Sequence, residues 1–330
     1  MKADTHHTQK FLLYAAGIFA IYFYFGILQE KVTRGKYIVE TTDLEGKKTV
    51  VTEKFTFALI LVCTQCIVNY IIAKAAILIW PQNEDKTTHL YYASVSVTYL
   101  LAMVASNMAL QWVPYPTQVV GKSAKPIPVL LLGVLVGKKS YPLKKYLFIF
   151  IIVIGIVMFM LKENAMKGES DVSGFGVGEL LLILSLVMDG LMGAIQERIR
   201  AEAKPSGLQM MLQQNGWSSI FLIIIILLSG ELFQFIEFAK IFPDIYLNLL
   251  FIGVASAVGQ LFLFNMVSEF GPLPLSIVTT TRKFFTVLGS VIFFGNALTG
   301  RQWMGAILVF LGLFLDAFYG KKQPKKDIIK

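Results

Sequence analysis

Ten blocks of mostly apolar residues follow one another along the chain, separated by short polar stretches. They run over Phe11–Leu28, Phe55–Trp80, Leu90–Leu110, Pro116–Val136, Tyr146–Leu161, Val177–Ile195, Met210–Leu228, Tyr246–Val267, Leu275–Phe294 and Trp303–Phe318. Each is near the roughly 20 residues that a helix needs to cross a hydrocarbon core. Blocks of this length predict an all-α integral membrane protein with ten transmembrane helices. The first block follows Lys2 and Lys10 but has no small-residue cleavage site after it, so it is read as a span and not a cleaved leader.

The pattern repeats. Without gaps, P-Y-P-T-Q-V-V-G-K-S-A-K-P-I-P-V from Pro114 lies over P-L-P-L-S-I-V-T-T-T-R-K-F-F-T-V from Pro272, which sets Lys125 on Lys283. Upstream in the same register, Asn107-Met108 falls on Asn265-Met266 and Gln111 on Glu269. G-I-L-Q-E-K at Gly26–Lys31 likewise resembles G-A-I-Q-E-R at Gly193–Arg198. Three matched segments in one order predict an internal duplication: residues 1–170 as a first five-helix repeat, 171–320 as a second, and 321–330 as a basic cytosolic tail. Five spans is an odd number, so the second copy enters the membrane upside down. Inverted repeats of this kind are typical of secondary transporters, whose site lies near the midplane.

Composition agrees with this reading. Of 330 residues, 55% are hydrophobic and 15% charged, outside the range of soluble domains. The net charge of +9 forms no single basic face, which argues against a nucleic-acid partner. With a cytosolic N-terminus, fifteen Lys and Arg fall on the cytosolic side, including Lys138, Lys139, Lys144 and Lys145, against ten on the other side. The positive-inside rule therefore puts both termini in the cytosol. Cys63 and Cys66 lie inside the second block and are read as small buried residues. His6, His7 and His89 stand at or outside membrane edges, and the spans hold no H-E-x-x-H motif or nucleophile elbow. That argues against the rival reading, a membrane enzyme acting on a phosphorylated lipid, and no metal or cofactor is expected.

The candidate chemistry lies in the fourth block. Gln118, Lys122 and Lys125 are spaced i, i+4, i+7 and share one helical face. A cation at the membrane centre costs about 2.5–3.5 kcal/mol, so such residues usually face a bundle interior or a wet cavity. Pro126 and Pro128 break the backbone ladder just beyond them, which is tolerated at membrane depth where the chain lines protein or a cavity. In the ninth block Ser276, Thr279, Thr280, Lys283 and Thr286 form a polar stripe, with Arg282 about 100° away. Cations without an acid in their own helices call for an anion, and a polyphosphate fits Lys and Arg. Two alternatives stay open: a substrate site, or structural pairing of Lys125 or Lys283 with Glu30 or Asp189. Several unneutralised cations would make an empty site costly to close, which favours exchange over uniport.

These features carry a resemblance. Ten helices in two inverted halves resemble the drug/metabolite transporter superfamily, and within it the nucleotide-sugar transporter family. Y-F-G-I-L-Q-E-K-V-T-R-G-K-Y at Tyr24–Tyr37, the Y-P-T-Q-V-V-G-K-S-A-K-P-I-P-V stretch and T-T-T-R-K-F-F-T at Thr279–Thr286 are similar to its endoplasmic reticulum ATP/ADP exchangers. Those belong to solute carrier family 35, subfamily B, and are also known as UDP-galactose-transporter-related proteins. The resemblance implies exchange of cytosolic ATP for luminal ADP across the endoplasmic reticulum membrane, with a lipid bilayer and small nucleotides as partners and no obligate protein partner. It gives Lys122, Lys125, Arg282 and Lys283 the phosphates, with Glu30 and Gln118 as further members. Thr279 is read as a further phosphate contact and Tyr115 as a candidate for the adenine. The alternative is an antiporter exchanging UDP-galactose or UDP-glucose for UMP. The tail, ending K-K-D-I-I-K, departs from a dilysine retrieval signal.

Overall fold

The apolar blocks become helices in a computed structural model that describes residues 2–42, 48–109, 112–113, 118, 121–160, 176–293 and 299–319. Eleven helices are described: α1 Lys2–Arg34, α2 Ala58–Ile79, α3 His89–Ala109, α4 Pro126–Leu135, α5 Leu143–Met160, α6 Val177–Glu202, α7 Gly207–Ser229, α8 Glu231–Ile241, α9 Asp244–Phe270, α10 Pro272–Phe293 and α11 Gly300–Tyr319. Six of them (α1, α2, α3, α6, α7 and α9) contain segments long and apolar enough to cross a membrane, while Pro126–Leu135 and Gly300–Leu315 are shorter apolar helices. The chain is therefore a helical, multi-pass membrane protein. The polar connection predicted after Leu161, the proline turn at Pro114–Pro116 and the basic tail lie outside the described residues.

Two features depart from the ten-block reading. Lys36–Thr42 (β1) and Lys48–Lys54 (β2) pair antiparallel, Lys36 opposite Lys54 and Thr42 opposite Lys48, where an irregular loop was expected. Both strands are rich in β-branched residues, which favour a pleated backbone. The short helix α8 was also unexpected. It starts at Gly230, whose φ of +73° is the left-handed turn that ends α7.

Contacts divide the chain into two units, each drawing on both halves of the sequence. The first comprises Met1–Val97 and Ala203–Phe270. In it α1 packs on α9, and α2 on α7 and α9. A buried polar network ties three of these helices: the Asn69 amide donates to Asn215 Oδ1 at 3.1 Å and to Ser256 Oγ at 3.3 Å, and Asn215 donates to Gln260 Oε1 at 2.7 Å. Away from water such groups need partners, and the amide nitrogens of Asn69 and Asn215 find theirs across helix boundaries. Phe55, Phe57, Phe235, Phe238 and Phe242 gather with Tyr37 of β1 into an edge-on aromatic cluster around α8.

The second unit comprises Thr98–Glu202 and Gly271–Lys330. Here α5 packs along α11, α4 along α6, and α10 touches α4, α5 and α6. Val129, Leu130, Ile152, Ile156, Phe159, Ile277, Phe284 and Val309 form its core. This unit holds the lysines. Cys63 and Cys66, in the first, are free and buried, as small apolar residues would be.

Candidate functional site

The lysine segment owes its shape to its prolines. In an α-helix the carbonyl of Lys122 would accept from the nitrogen of residue 126, and that of Ala124 from residue 128, but both positions are proline and have no N–H. The chain tightens instead. Lys125 N–H donates to the Lys122 carbonyl at 3.3 Å, Ile127 N–H to the Ala124 carbonyl at 2.9 Å, and Ala124 N–H to the Gly121 carbonyl at 3.0 Å. Bonds of i→i+3 type wind three residues per turn, so side chains at i and i+3 eclipse. Lys122 and Lys125 thereby come to one side, and α4 begins at Pro126 as a separate helix of 10 residues.

What they meet comes from α6. Its buried positions Gly178, Leu182, Ser185, Asp189, Gly193 and Glu197 recur at helical spacing, so they form one face. Asp189 lies on that face with its side chain 8% exposed. Its Oδ2 is 2.6 Å from Lys122 Nζ and its Oδ1 3.0 Å from Lys125 Nζ. One turn earlier, Ser185 accepts from Lys122 Nζ at 2.5 Å and donates to the Ala102 carbonyl of α3. The close approach is made possible by the next residue. A Cβ on Gly190 would stand 2.7 Å from the Pro128 carbonyl oxygen. Small residues let membrane helices pack backbone to backbone in this way.

A second charge cluster lies further along the same face. Glu197, buried, accepts from Lys139 in the α4–α5 connection and from Arg200 Nη1 at 3.1 Å. Gly271 sits above it at φ +101°, where a Cβ would come within 2.8 Å of Arg200 Nη1 and 3.0 Å of Glu197 Oε2. Beside it, burial pushes the Tyr141 phenol pKa up, helped by the Glu197 carboxylate. The chain from Lys125 to Lys139 is thus held to α6 by an acid–lysine contact at each end.

The other expected site residues are placed as follows. Gln118 is buried, and its amide donates to the Ser106 carbonyl at 2.6 Å and Ser106 Oγ at 3.1 Å. That spends its donors on bracing α3, leaving a carbonyl oxygen that repels phosphate. The Thr279 hydroxyl donates to the Leu275 carbonyl at 2.9 Å, inside α10. Arg282 is half-buried on α10. Lys283 lies on α10 and Glu30 on α1, but their side chains, and all of Tyr115, fall outside the described residues. The notion of cations without a counter-charge needs amending. No acid is supplied by their own segment, but Asp189 of α6 supplies one to both lysines. Its contact with Lys125 is the structural pairing left open as an alternative by the sequence; its second partner, Lys122, was not expected. Among the described residues no cluster of His, Cys, Asp or Glu suits a metal.

Comparison with known proteins gives this geometry its family. The UAA transporter family profile matches residues 10–319. The chain is 52% identical over 315 residues to the solute carrier family 35 member B1 homolog of Drosophila melanogaster, covering 96% of this chain and 92% of that one. It is 50% identical over 317 residues to solute carrier family 35 member B1 of Xenopus tropicalis, covering 96% and 95%. A solved crystal structure, 11% identical, matches over 93% of this chain and 96% of its own with a TM-score of 0.62, which shows the fold alone. With nearly its whole length matched, the chain belongs to the UAA transporter family, as a nucleotide-sugar-transporter-type carrier of solute carrier family 35, subfamily B.

Proposed function

We propose that this carrier exchanges cytosolic ATP for luminal ADP across the endoplasmic reticulum membrane by alternating access. Lys122, Lys125, Arg282 and Lys283 would hold the phosphates, and both termini would lie in the cytosol. The observation that carries the reading is the lysine pair. Two lysines in a segment that the apolar pattern assigns to the membrane share one carboxylate, a formal net charge of +1. A surplus cation in a bilayer is costly and marks an ion or substrate path. Of the phosphate ligands open to this family, ATP brings more negative charge than a nucleotide sugar, and the strings shared with the ATP/ADP exchangers point the same way. The internal duplication supports the alternating-access part, with residues 1–170 and 171–320 as inverted copies.

The test is uptake of labelled nucleotide by proteoliposomes preloaded with ADP, UMP or nothing, for wild type and Lys125→Ala. Labelled ATP should enter only vesicles holding ADP, and the variant should lose at least about tenfold in kcat/KM, the scale of one lost charge-assisted contact. Uptake of UDP-galactose or UDP-glucose against UMP, with ATP ignored, would move the protein to the sugar-nucleotide branch. Uptake unchanged in Lys125→Ala would refute the site.

A further inference from the structure

The duplication exposes an asymmetry at the site. In the register that sets Lys125 on Lys283, Lys122 falls on Thr280. In the register that sets Glu30 on Glu197, Asp189 falls on Tyr22. Lys122 and Asp189 therefore have no charged counterparts in the other copy, and they bond to each other at 2.6 Å. Arg282 in turn falls on Ala124, so each copy brings two cations to the aligned segment, and Asp189 is the acid bonded to the first copy's pair. The anion does more than cancel its partner, because its second oxygen is bonded to Lys125, the lysine that the repeats share.

We propose that Asp189 is a resident counter-ion of the lysine pair, which the phosphates of an entering nucleotide displace. The inference rests on the phosphate-site reading above. Access favours it. The lysine side chains are 17% and 29% exposed but that of Asp189 is 8%, so an incoming anion meets the lysines first and the carboxylate last. An ammonium has three donors, and Lys122 already commits two, to Ser185 and Asp189. That leaves Lys122 one donor and Lys125 two, so a polyphosphate that takes more must draw donors away from Asp189, and the two anions repel across the few ångströms that separate them. Asp189 then tunes the cycle from both ends. Between substrates it keeps the empty site near neutral, and with substrate bound it weakens the grip enough to permit release.

The test uses full-length protein in detergent, so that it does not depend on transport. Binding of ATP and of inorganic tripolyphosphate is measured by calorimetry for wild type, Asp189→Asn and Asp189→Glu, with melting temperature read with and without tripolyphosphate. Removing one like charge at ~6 Å in a partly polar interior should tighten anion binding by roughly 10- to 100-fold. Asp189→Asn should also melt below wild type without ligand and recover more on adding tripolyphosphate, since the ligand replaces the missing anion. Asp189→Glu should stay near wild type. If Asp189→Asn folds only when purified with tripolyphosphate, that rescue supports the proposal. Equal or weaker anion binding in Asp189→Asn, or a loss of stability that tripolyphosphate does not restore, would overturn it and make Asp189 a structural brace. No polyphosphate binding by wild type would overturn the phosphate site itself.

Discussion

Gly190→Ala is the sharpest probe of how the lysine site is built. The added methyl would lie 2.7 Å from the Pro128 carbonyl oxygen, 2.8 Å from its carbon and 2.9 Å from Leu132 Cδ1. Leucine can turn aside, but a backbone carbonyl next to a proline cannot. Ordinary contact begins at 3.4 Å, so α6 and α4 must separate by about 0.7 Å. The neighbouring residue is Asp189. The same displacement carried to its carboxylate would stretch the 2.6 Å contact to Lys122 to about 3.3 Å and the 3.0 Å contact to Lys125 to about 3.7 Å. One bond would then sit at the edge of hydrogen-bonding range and the other beyond it. Overpacking costs ~1–3 kcal/mol, and a lost bond between charged groups ~1.5–3 kcal/mol. Against this, alanine gains up to ~1 kcal/mol over glycine in a helix. The net is a destabilisation of roughly 1.5–5 kcal/mol, concentrated at the site.

The assay pairs the melting temperature in detergent with the KM for nucleotide uptake. Gly190→Ala should melt several degrees below wild type and shift KM. Gly26→Ala and Gly300→Ala are the controls, since a Cβ there meets nothing within 4 Å. They should match wild type or exceed it slightly. A Gly190→Ala protein with wild-type melting and KM would refute the close approach of α4 and α6, and with it the account of how Asp189 reaches both lysines.

Three further outcomes follow from the same contacts. Thr279→Val should change KM for nucleotide by less than about twofold, because the Thr279 hydroxyl is bonded within its own helix and its loss strands no partner; a tenfold rise would restore Thr279 to the phosphate contacts. Glu197→Ala removes the carboxylate from between Lys139 and Arg200 and should cost about 1–3 kcal/mol, less than a fully buried pair because Lys139 is 36% exposed; the check is a fall in melting temperature that Glu197→Asp partly recovers. Asn69→Leu leaves Asn215 and Ser256 short of a donor in the buried network of the first unit, and should cost about 1–3 kcal/mol by the same measurement.

Much of this molecule could be read from order and spacing alone. Long apolar blocks announce helices because a bilayer offers the backbone no other partner. Lys122 and Lys125 announced themselves because charge inside such a block needs a reason. Of the pairing across distance, Lys125 with Asp189 was one open alternative, and the rest stayed hidden. Asp189 and Lys122 are far apart in sequence and meet only because Gly190 admits the Pro128 carbonyl. Gln118 and Thr279 looked like ligands on a helical wheel, but a wheel does not show that Ser106 and the Leu275 carbonyl take their donors. The hairpin Lys36–Lys54 was missed because its many charges suggested a solvated loop, although K-Y-I-V-E-T-T and K-T-V-V-T-E-K carry the β-branched residues of strands. Helix α8 escaped because 11 residues are too few to signal a span.

The pairing also changes what the duplication means for coupling. In the repeat register Lys125 of the first copy falls on Lys283 of the second, Lys122 on Thr280 and Ala124 on Arg282, so each copy brings two cations. Each cation left without a counter-charge at the membrane centre would cost ~2.5–3.5 kcal/mol. Lys122 and Asp189 together add nothing to the net charge, and the bond between them joins the first copy to the second, although neither has a charged residue at its register position, Thr280 and Tyr22. In the proposed site, a ligand that engages Lys122 competes with the Asp189 carboxylate. Discrimination by anion charge follows from that competition: a ligand carrying more negative charge outbids Asp189 for both lysines, and one carrying less gains too little to part them. This favours ATP and ADP over UMP by a margin that should shrink as salt is raised, because the ligand's attraction is felt in the wet part of the site and screened there. The Lys122–Asp189 contact, at 17% and 8% exposure, is shielded from the same ions.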